Sequence, residues 1–118
     1  MKTLRIITFF ALALLAGCAH ADKTFYWGDY SSTLYDLKKS PDEKTLEAHK
    51  KELLLIMKES DKKHKHVPPG VNAEYGYILL KGGNEPEGME FLDKETTLYP
   101  ESVVFIQRIK SEYLRRKK

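Results

Sequence analysis

Apolar residues return every three or four positions along most of this chain, which is the spacing of one face of an α-helix. The longest such pattern runs from about Asp42 to Lys63 and predicts the longest helix, with Pro41 just inside its start. Its apolar stripe consists of Leu46, Leu53, Leu54 and Met57. No segment shows the alternation of apolar and polar residues that is typical of a strand. The pattern therefore predicts an all-α body of about five helices.

Between Val71 and Pro100 the pattern predicts two helices joined by a tight turn. Their inner faces are marked by Val71, Tyr75, Ile78 and Leu79 in the first helix and by Met89, Leu92 and Leu98 in the second. Gly82-Gly83-Asn84 ends the first helix, because glycine adopts the left-handed conformation found at many helix ends. Pro86 lies in the first turn of the second helix, where its missing N–H is no loss. We expect the rest of the chain to be organised around this hairpin.

Two shorter helices are predicted on either side of these elements. One begins at Ser31 or Ser32, whose hydroxyl can cap it, and continues through Lys39. The other runs from about Ser102 to Arg115. Its apolar stripe is Phe105, Ile109 and Tyr113, widened by Val104, Ile106 and Leu114.

The segment from Phe25 to Tyr30 is the most aromatic part of the chain, with four aromatic side chains in six residues. Aromatic side chains bury a large apolar area, so leaving all four in water is costly. This favours a role as a cap over the open end of the core. An exposed binding patch is the alternative, because tyrosine and tryptophan are also common anchors in protein interfaces.

The hairpin resembles the tetratricopeptide repeat, a helix–turn–helix unit of about 34 residues. With Pro100 as the closing proline of the repeat, the matching positions are Gly76 and Gly88 (small residues at the helix contact), Leu79 and Leu92 (large apolar residues) and Gly83-Asn84 (the turn). Two positions depart: Asn72 replaces an aromatic residue or leucine, and Glu95 replaces alanine. The resemblance implies a short tetratricopeptide-like stack of about five helices.

In tetratricopeptide repeats the ligand-facing side is mainly the first helix of each pair. The resemblance therefore implies that Tyr77 and Lys81 face a partner, whereas Tyr75 and Leu79 turn inward. Tyrosine offers apolar area with a polar tip, and a lysine one turn further can meet an acidic group. We predict Tyr77 and Lys81 as partner-binding residues. The alternative is that both simply lie on a solvated surface.

Residues 1–17 have the plan of an export signal, with Lys2 and Arg5 ahead of an apolar run that is too short for a permanent membrane span. The run ends in Leu15-Ala16-Gly17-Cys18, which resembles the lipobox of bacterial lipoproteins. That resemblance implies cleavage before Cys18 and acylation of its thiol and new amine. Ala19, rather than aspartate, favours the periplasmic side of the outer membrane by similarity to enterobacterial lipoproteins. A simple secretory signal with an incidental cysteine is the alternative.

These motifs divide the chain into a signal peptide (1–17), a lipidated tether (18–24) and one helical domain (25–118). Lysine and arginine number 20 and aspartate and glutamate 17, a net charge of +3. Two of those basic residues, Lys2 and Arg5, lie in the leader, which leaves +1 for the rest and gives little support for nucleic-acid binding. Cys18 is the single cysteine, so the chain has no internal disulfide, and a catalytic thiol is not expected.

The sequence offers no convincing catalytic or cofactor site. His64-Lys65-His66 lies in a lysine-rich run without nearby carboxylates or cysteines, which makes a poor metal site. Glu47 and His49 fall on different faces of one helix and do not pair. Gly82-Gly83-Asn84 lacks the Gly-Lys-Ser/Thr ending of a phosphate-binding loop. We expect no metal, no cofactor, no nucleic acid and no enzymatic activity.

Taken together, the stretches FYWGDYSSTLYDL, LEAHKKEL, VPPGVNAEYGYILLK and LYPES are similar to a family of small bacterial lipoproteins of unknown function. Genomic association links that family to a curli-transporter-like lipoprotein and another small lipoprotein, which implies an assembly role. The leading hypothesis is a tethered module that binds proteins, including other lipoproteins. The alternatives are a structural subunit of a lipoprotein secretion complex and an envelope-remodelling enzyme or its activator.

Overall fold

Residues 24–118 are described by the structure, a computed structural model. They form five α-helices and one turn of 3-10 helix and contain no strand, so the predicted all-α fold is confirmed. In chain order the elements are α1 (Tyr30–Lys39), α2 (Glu43–Lys62), α3 (Val71–Lys81), α4 (Glu85–Leu98), the 3-10 turn (Pro100–Ser102) and α5 (Val103–Lys117). The predicted signal peptide and Cys18 lie outside the described residues. None of the helices in this part of the chain is long and apolar enough to cross a membrane.

The start of α2 is fixed by a reciprocal cap. The Asp42 carboxylate accepts a hydrogen bond from the backbone N–H of Thr45 at 2.8 Å, and the Thr45 hydroxyl accepts one from the N–H of Asp42 at 3.2 Å. Asp42 is therefore the N-cap, and Pro41 precedes the helix rather than lying inside it, contrary to the prediction. The Asp42 carboxylate fixes the start of the helix because it accepts from the N–H of Thr45, which a proline side chain has no acceptor to do.

Helix α3 lies at the centre of the molecule, and seven of its eleven residues are buried. One side of it packs into a cluster with α2, formed by Leu53, Ile56, Val71, Tyr75 and Leu79. The other side packs into a cluster with α4 and α5, formed by Ala73, Leu80, Leu92 and Ile106. Because α3 contributes to both clusters, its exposed face is narrow and contains only Tyr77 and Lys81.

Helices α3 and α4 touch through glycine, as the repeat resemblance implied. A Cβ atom on Gly76 would lie 2.8 Å from the carbonyl oxygen of Gly88, and one on Gly88 would lie 2.9 Å from that of Gly76. The turn between the helices has Gly83 in the left-handed region, with φ of 86°. Across it the N–H of Asn84 donates to the carbonyl of Leu79 at 2.9 Å, which closes the helix end.

The α1–α2 and α3–α4 hairpins have one contact in common: a carboxylate of the second helix binds the backbone just before the first helix. The buried Glu52 of α2 accepts from the backbone N–H of Asp29, before α1, at 2.8 Å. The buried Glu95 of α4 accepts from the N–H of Gly70, before α3, at 2.7 Å. Gly28 and Gly70 both have positive φ, 47° and 90°, at these two sites. In each hairpin, therefore, a carboxylate of the second helix binds the N-terminus of the first, where the helix dipole favours negative charge.

Five residues of the predicted apolar stripes are exposed, and they include Val104 (72% exposed) and Leu114 (46% exposed) of α5. Leu54 is 43% exposed, Leu98 is 38% exposed and Phe105 is 59% exposed. In α4 the polar Glu95 occupies the inward position one turn before Leu98, because its carboxylate has backbone donors to bind. In α5 the fully buried residue is Ile106, which turns the neighbouring Phe105 outward. Apolar spacing therefore located the helices but misplaced part of the buried face of α2, α4 and α5. The predicted serine cap of α1 is also wrong, because Asp29 is the N-cap and Ser31 and Ser32 lie inside the helix.

The aromatic segment before α1 divides between the two predicted roles. Tyr26 and Tyr30 pack against the α2–α3 cluster and close its end, as a core cap should. Trp27 contacts the ring of Tyr30 edge to face, with centroids 5.3 Å apart, yet it remains 42% exposed. The core-cap interpretation holds for the two tyrosines, and Trp27 keeps one side in solvent.

Candidate partner-binding groove

A groove runs along the surface between α3 and α5. It consists of two adjoining pockets of about 330 and 440 Å³ that share Tyr77, Ile109 and Glu112. The walls are formed by Ala73, Glu74, Tyr77, Leu80 and Lys81 of α3 and by Phe105, Arg108, Ile109, Glu112, Tyr113, Arg116 and Lys117 of α5. We call this feature the α3–α5 groove. Its floor is apolar and its rim is charged, which is the usual composition of a ligand site.

Both predicted partner-binding residues of α3 lie in this groove. Tyr77 is 45% exposed and stands between the two pockets, and the exposed Lys81 lines one of them. Tyr75 and Leu79 point to the opposite side and are buried. This orientation agrees with the register taken from the repeat resemblance. Partner binding by Tyr77 and Lys81 stays a prediction.

The second wall of the groove was not predicted. Phe105, Arg108 and Ile109 belong to α5, whose apolar residues we had assigned to the core. Phe105 and Arg108 are exposed, and Ile109 is partly buried beneath them. Sequence spacing shows which residues share a face of α5, but it does not show which neighbouring helix that face meets.

Some cations of the groove form ion pairs, and others have no carboxylate partner. Lys117 binds Glu85, and Arg116 lies 4.0 Å from Glu112. Lys81 and Arg108 have no carboxylate partner among residues 24–118. Hydrogen bonding to Lys117 lowers the pKa of Glu85, and the same contact raises the pKa of Lys117. The groove therefore keeps two cations available for a ligand.

Glu74, at the edge of the groove, directs its carboxylate into the protein. It accepts a hydrogen bond from the Tyr30 hydroxyl at 2.7 Å, and its other oxygen lies 3.1 Å from Nε2 of His49. His49 is fully buried, and its Nδ1 lies 2.8 Å from the Thr33 hydroxyl. An ionised carboxylate only accepts, so Nε2 of His49 carries a proton. In the neutral ring, Nδ1 then accepts from Thr33. Sequence analysis missed this network because its members come from three helices.

A hydroxyl, an imidazole and a carboxylate in this order also occur in hydrolases, where the base activates the hydroxyl. Here Thr33 lies in the first turn of α1, and its backbone N–H donates to the carbonyl of Asp29 within that turn. His49 has no exposed surface. The arrangement joins α1, α2 and α3 through buried hydrogen bonds, and we interpret it as structural.

Replacing Tyr30 by phenylalanine should lower the free energy of unfolding at neutral pH by about 1–2 kcal/mol, because Glu74 loses a hydrogen bond. Burial and the Glu74 carboxylate raise the pKa of Tyr30 to about 12 from 10.0. A raised folded-state pKa gives stability that is complete below about pH 10 and is lost as the pH rises through about 12.

Urea unfolding of the wild type and of Tyr30→Phe between neutral pH and about pH 12 measures the difference in their free energies of unfolding. This difference should shrink at alkaline pH. Tyr35→Phe is the control, because the Tyr35 ring is 63% exposed and its hydroxyl makes no hydrogen bond within residues 24–118. A difference that stays constant across this pH range would contradict the assigned contact.

The His64-Lys65-His66 run ends α2. His64 adopts the left-handed conformation, with φ of 52°, and the N–H of Lys65 donates to the carbonyl of Ser60 at 2.9 Å. These bonds satisfy the last turn of the helix in the way that a glycine usually permits. Among residues 24–118 no group of three or more potential ligands is placed to hold a metal ion.

The described residues thus define a class of protein: an all-helical module built on two hairpins, with a charged groove beside its central helix. Comparison with known families gives a match over residues 24–109 to the family described as domain of unknown function DUF4810. The match spans most of the chain, and the chain belongs to this family. Neither the curated proteins nor the solved structures contain a match to it.

Proposed function

We propose that this chain is an outer-membrane lipoprotein whose helical domain binds proteins in the periplasm through the α3–α5 groove. The observation that carries the proposal is the position of Tyr77, which stands half-exposed between two pockets with an apolar floor. Aromatic side chains in such positions are frequent anchors of protein interfaces. The proposal includes no enzymatic activity, cofactor or nucleic acid.

The membrane anchor in this proposal is supported by the sequence alone. Leu15-Ala16-Gly17-Cys18 follows an apolar run with basic residues ahead of it, and Cys18 is the one thiol in the chain. Several acyl chains would give nearly permanent attachment, because each buried methylene contributes about 0.8 kcal/mol. The similarity to lipoproteins associated with a curli-transporter-like protein supports an assembly role with other lipoproteins as partners.

Changing Cys18 to serine should abolish acylation and leave the precursor uncleaved at this site, because serine lacks the thiol nucleophile. Metabolic labelling with an alkyne fatty acid, followed by gel analysis of the precursor and the mature form, measures both effects. Ser31→Ala is a control outside the motif and should be labelled normally. Acyl labelling that persists in the Cys18→Ser variant would contradict the proposed lipid anchor at Cys18.

The double change Tyr77→Ala and Lys81→Glu should reduce the partners retained by the protein in membrane extracts by about tenfold or more, since an interface anchor is worth about 1.4 kcal/mol or more. The free energy of unfolding should change by less than about 1 kcal/mol, because both side chains lie at the surface. Crosslinking, co-purification and quantitative mass spectrometry of the retained proteins measure the loss.

The chain offers a matched control for this experiment. Tyr35 and Lys39 form the same tyrosine–lysine pair, four residues apart, on the exposed face of α1, with the lysine 5.9 Å from the ring centroid. Tyr35→Ala with Lys39→Glu should leave partner retention unchanged. Equal losses in the two double variants, or full retention in the Tyr77 and Lys81 variant, would show that the α3–α5 groove is not the docking surface.

A further inference from the structure

We infer that the α3–α5 groove takes a linear acidic segment of a partner protein, one in which carboxylates stand on both sides of bulky apolar side chains. This inference rests on the proposed function, since it names the chemical class of the ligand that the groove would bind. It starts from the unequal pairing of charges along the groove and from the arrangement of its two pockets.

The two cations without carboxylate partners belong to different pockets. Lys81 lines the pocket toward the C-terminal end of α3, and Arg108 lines the pocket toward its N-terminal end. Tyr77 lies between them and belongs to both pockets. A ligand that runs along the groove therefore meets a cation, an apolar centre and a second cation in turn.

The two acidic side chains of the groove do not cancel these cations. The Glu74 carboxylate is used by Tyr30 and His49, and the Glu112 carboxylate lies within reach of Arg116. Binding an acidic segment would therefore require no existing ion pair of Lys81 or Arg108 to break. A basic segment would have to face both cations and would meet only the half-exposed carboxylate of Glu112, 4.0 Å from Arg116, which disfavours it.

The apolar part of the ligand follows from the floor of the groove. Leu80 is buried beneath one pocket, and Ile109 is partly buried beneath both. Phe105, 59% exposed, forms the outer wall of the second pocket. Large aliphatic or aromatic side chains of the ligand would cover this surface, and the flanking carboxylates would orient the segment along it.

The test is selection of random peptides on the full chain, purified from membranes in detergent. Bound peptides are then measured by fluorescence anisotropy against the wild type and single variants. We expect the selected peptides to combine aspartate or glutamate with leucine, phenylalanine or tryptophan. Lys81→Glu and Arg108→Glu should each weaken their binding about tenfold, and added salt should weaken it further. Arg115→Glu, an exposed cation of α5 that does not line the groove, should change binding by less than about twofold.

Each other outcome overturns the inference. Selected peptides that are basic or uncharged, yet are lost with Tyr77→Ala, would leave the groove as a docking site and reject the acidic ligand. Acidic peptides that bind the Lys81 and Arg108 variants as well as the wild type would place their site elsewhere. A selection without any Tyr77-dependent peptide would reject the inference, whereas the proposed function is rejected separately by full retention of membrane partners.

Discussion

Replacing Gly76 by leucine should destabilise the domain by roughly 3 kcal/mol or more, the upper range for overpacking a well-filled contact. The cause is the contact between α3 and α4. A Cβ atom at this position would lie 2.8 Å from the carbonyl oxygen of Gly88 and 3.1 Å from the backbone nitrogen of Leu92. Backbone atoms cannot turn aside as a flexible side chain can, so the two helices would have to separate.

Chemical denaturation followed by circular dichroism measures the effect of Gly76→Leu. Gly82→Ala is the matched control, because a Cβ atom at Gly82 meets nothing closer than 3.5 Å and the residue already has helical φ. The control should change the free energy of unfolding by less than about 1 kcal/mol. Wild-type stability of the Gly76→Leu protein would show that the two helices do not touch there.

Replacing Glu95 by alanine should lower the free energy of unfolding by about 2–4 kcal/mol, because the N-terminus of α3 loses a carboxylate acceptor and the buried N–H of Ala73 loses its partner. The carboxylate accepts from the N–H of Gly70 at 2.7 Å and from that of Ala73 at 3.3 Å, and Glu95 is only 2% exposed. Alanine would also leave space where the side chain now lies. Glu95→Gln, which retains one acceptor oxygen, should lose less.

Glu90→Ala provides the comparison on the same helix. Glu90 is exposed and pairs with Lys94 at 2.9 Å, and surface pairs of this kind contribute less than about 1 kcal/mol. In thermal and urea unfolding, the Glu95→Ala variant should have a clearly lower free energy of unfolding than the Glu90→Ala variant and the wild type. Hydrogen exchange at the first turn of α3 should rise specifically in the Glu95 variant. Equal stability of the two alanine variants would contradict the role assigned to Glu95.

The features that the sequence predicted correctly depend on neighbouring residues. The end of α3 follows local chemistry, since Gly83 adopts the left-handed conformation that glycine permits. The small residues Gly76 and Gly88 were located through the repeat resemblance, and the structure brings them into contact. Tyr77 was also placed on the outer side of α3 through the repeat resemblance, and it is 45% exposed.

The features that it missed depend on contacts between distant segments. The sequence shows Glu95 only as a departure from the repeat pattern. Its two backbone donors, Gly70 and Ala73, lie 25 and 22 positions earlier in the chain. His49 was considered with Glu47, its neighbour on the same helix, but its partner is Glu74 of α3. Arg108 lines the groove because α5 packs beside α3, a contact that the sequence does not specify. Local periodicity carries no information about such pairings.

The central claim is that a partner protein docks in the α3–α5 groove, and photo-crosslinking in living cells tests it most directly. A photoreactive phenylalanine derivative is placed at residue 77, inside the groove, or at residue 35, an exposed tyrosine position on α1. Our account predicts a discrete crosslinked product from residue 77 that is absent from residue 35. A product from residue 35 with none from residue 77 would contradict it.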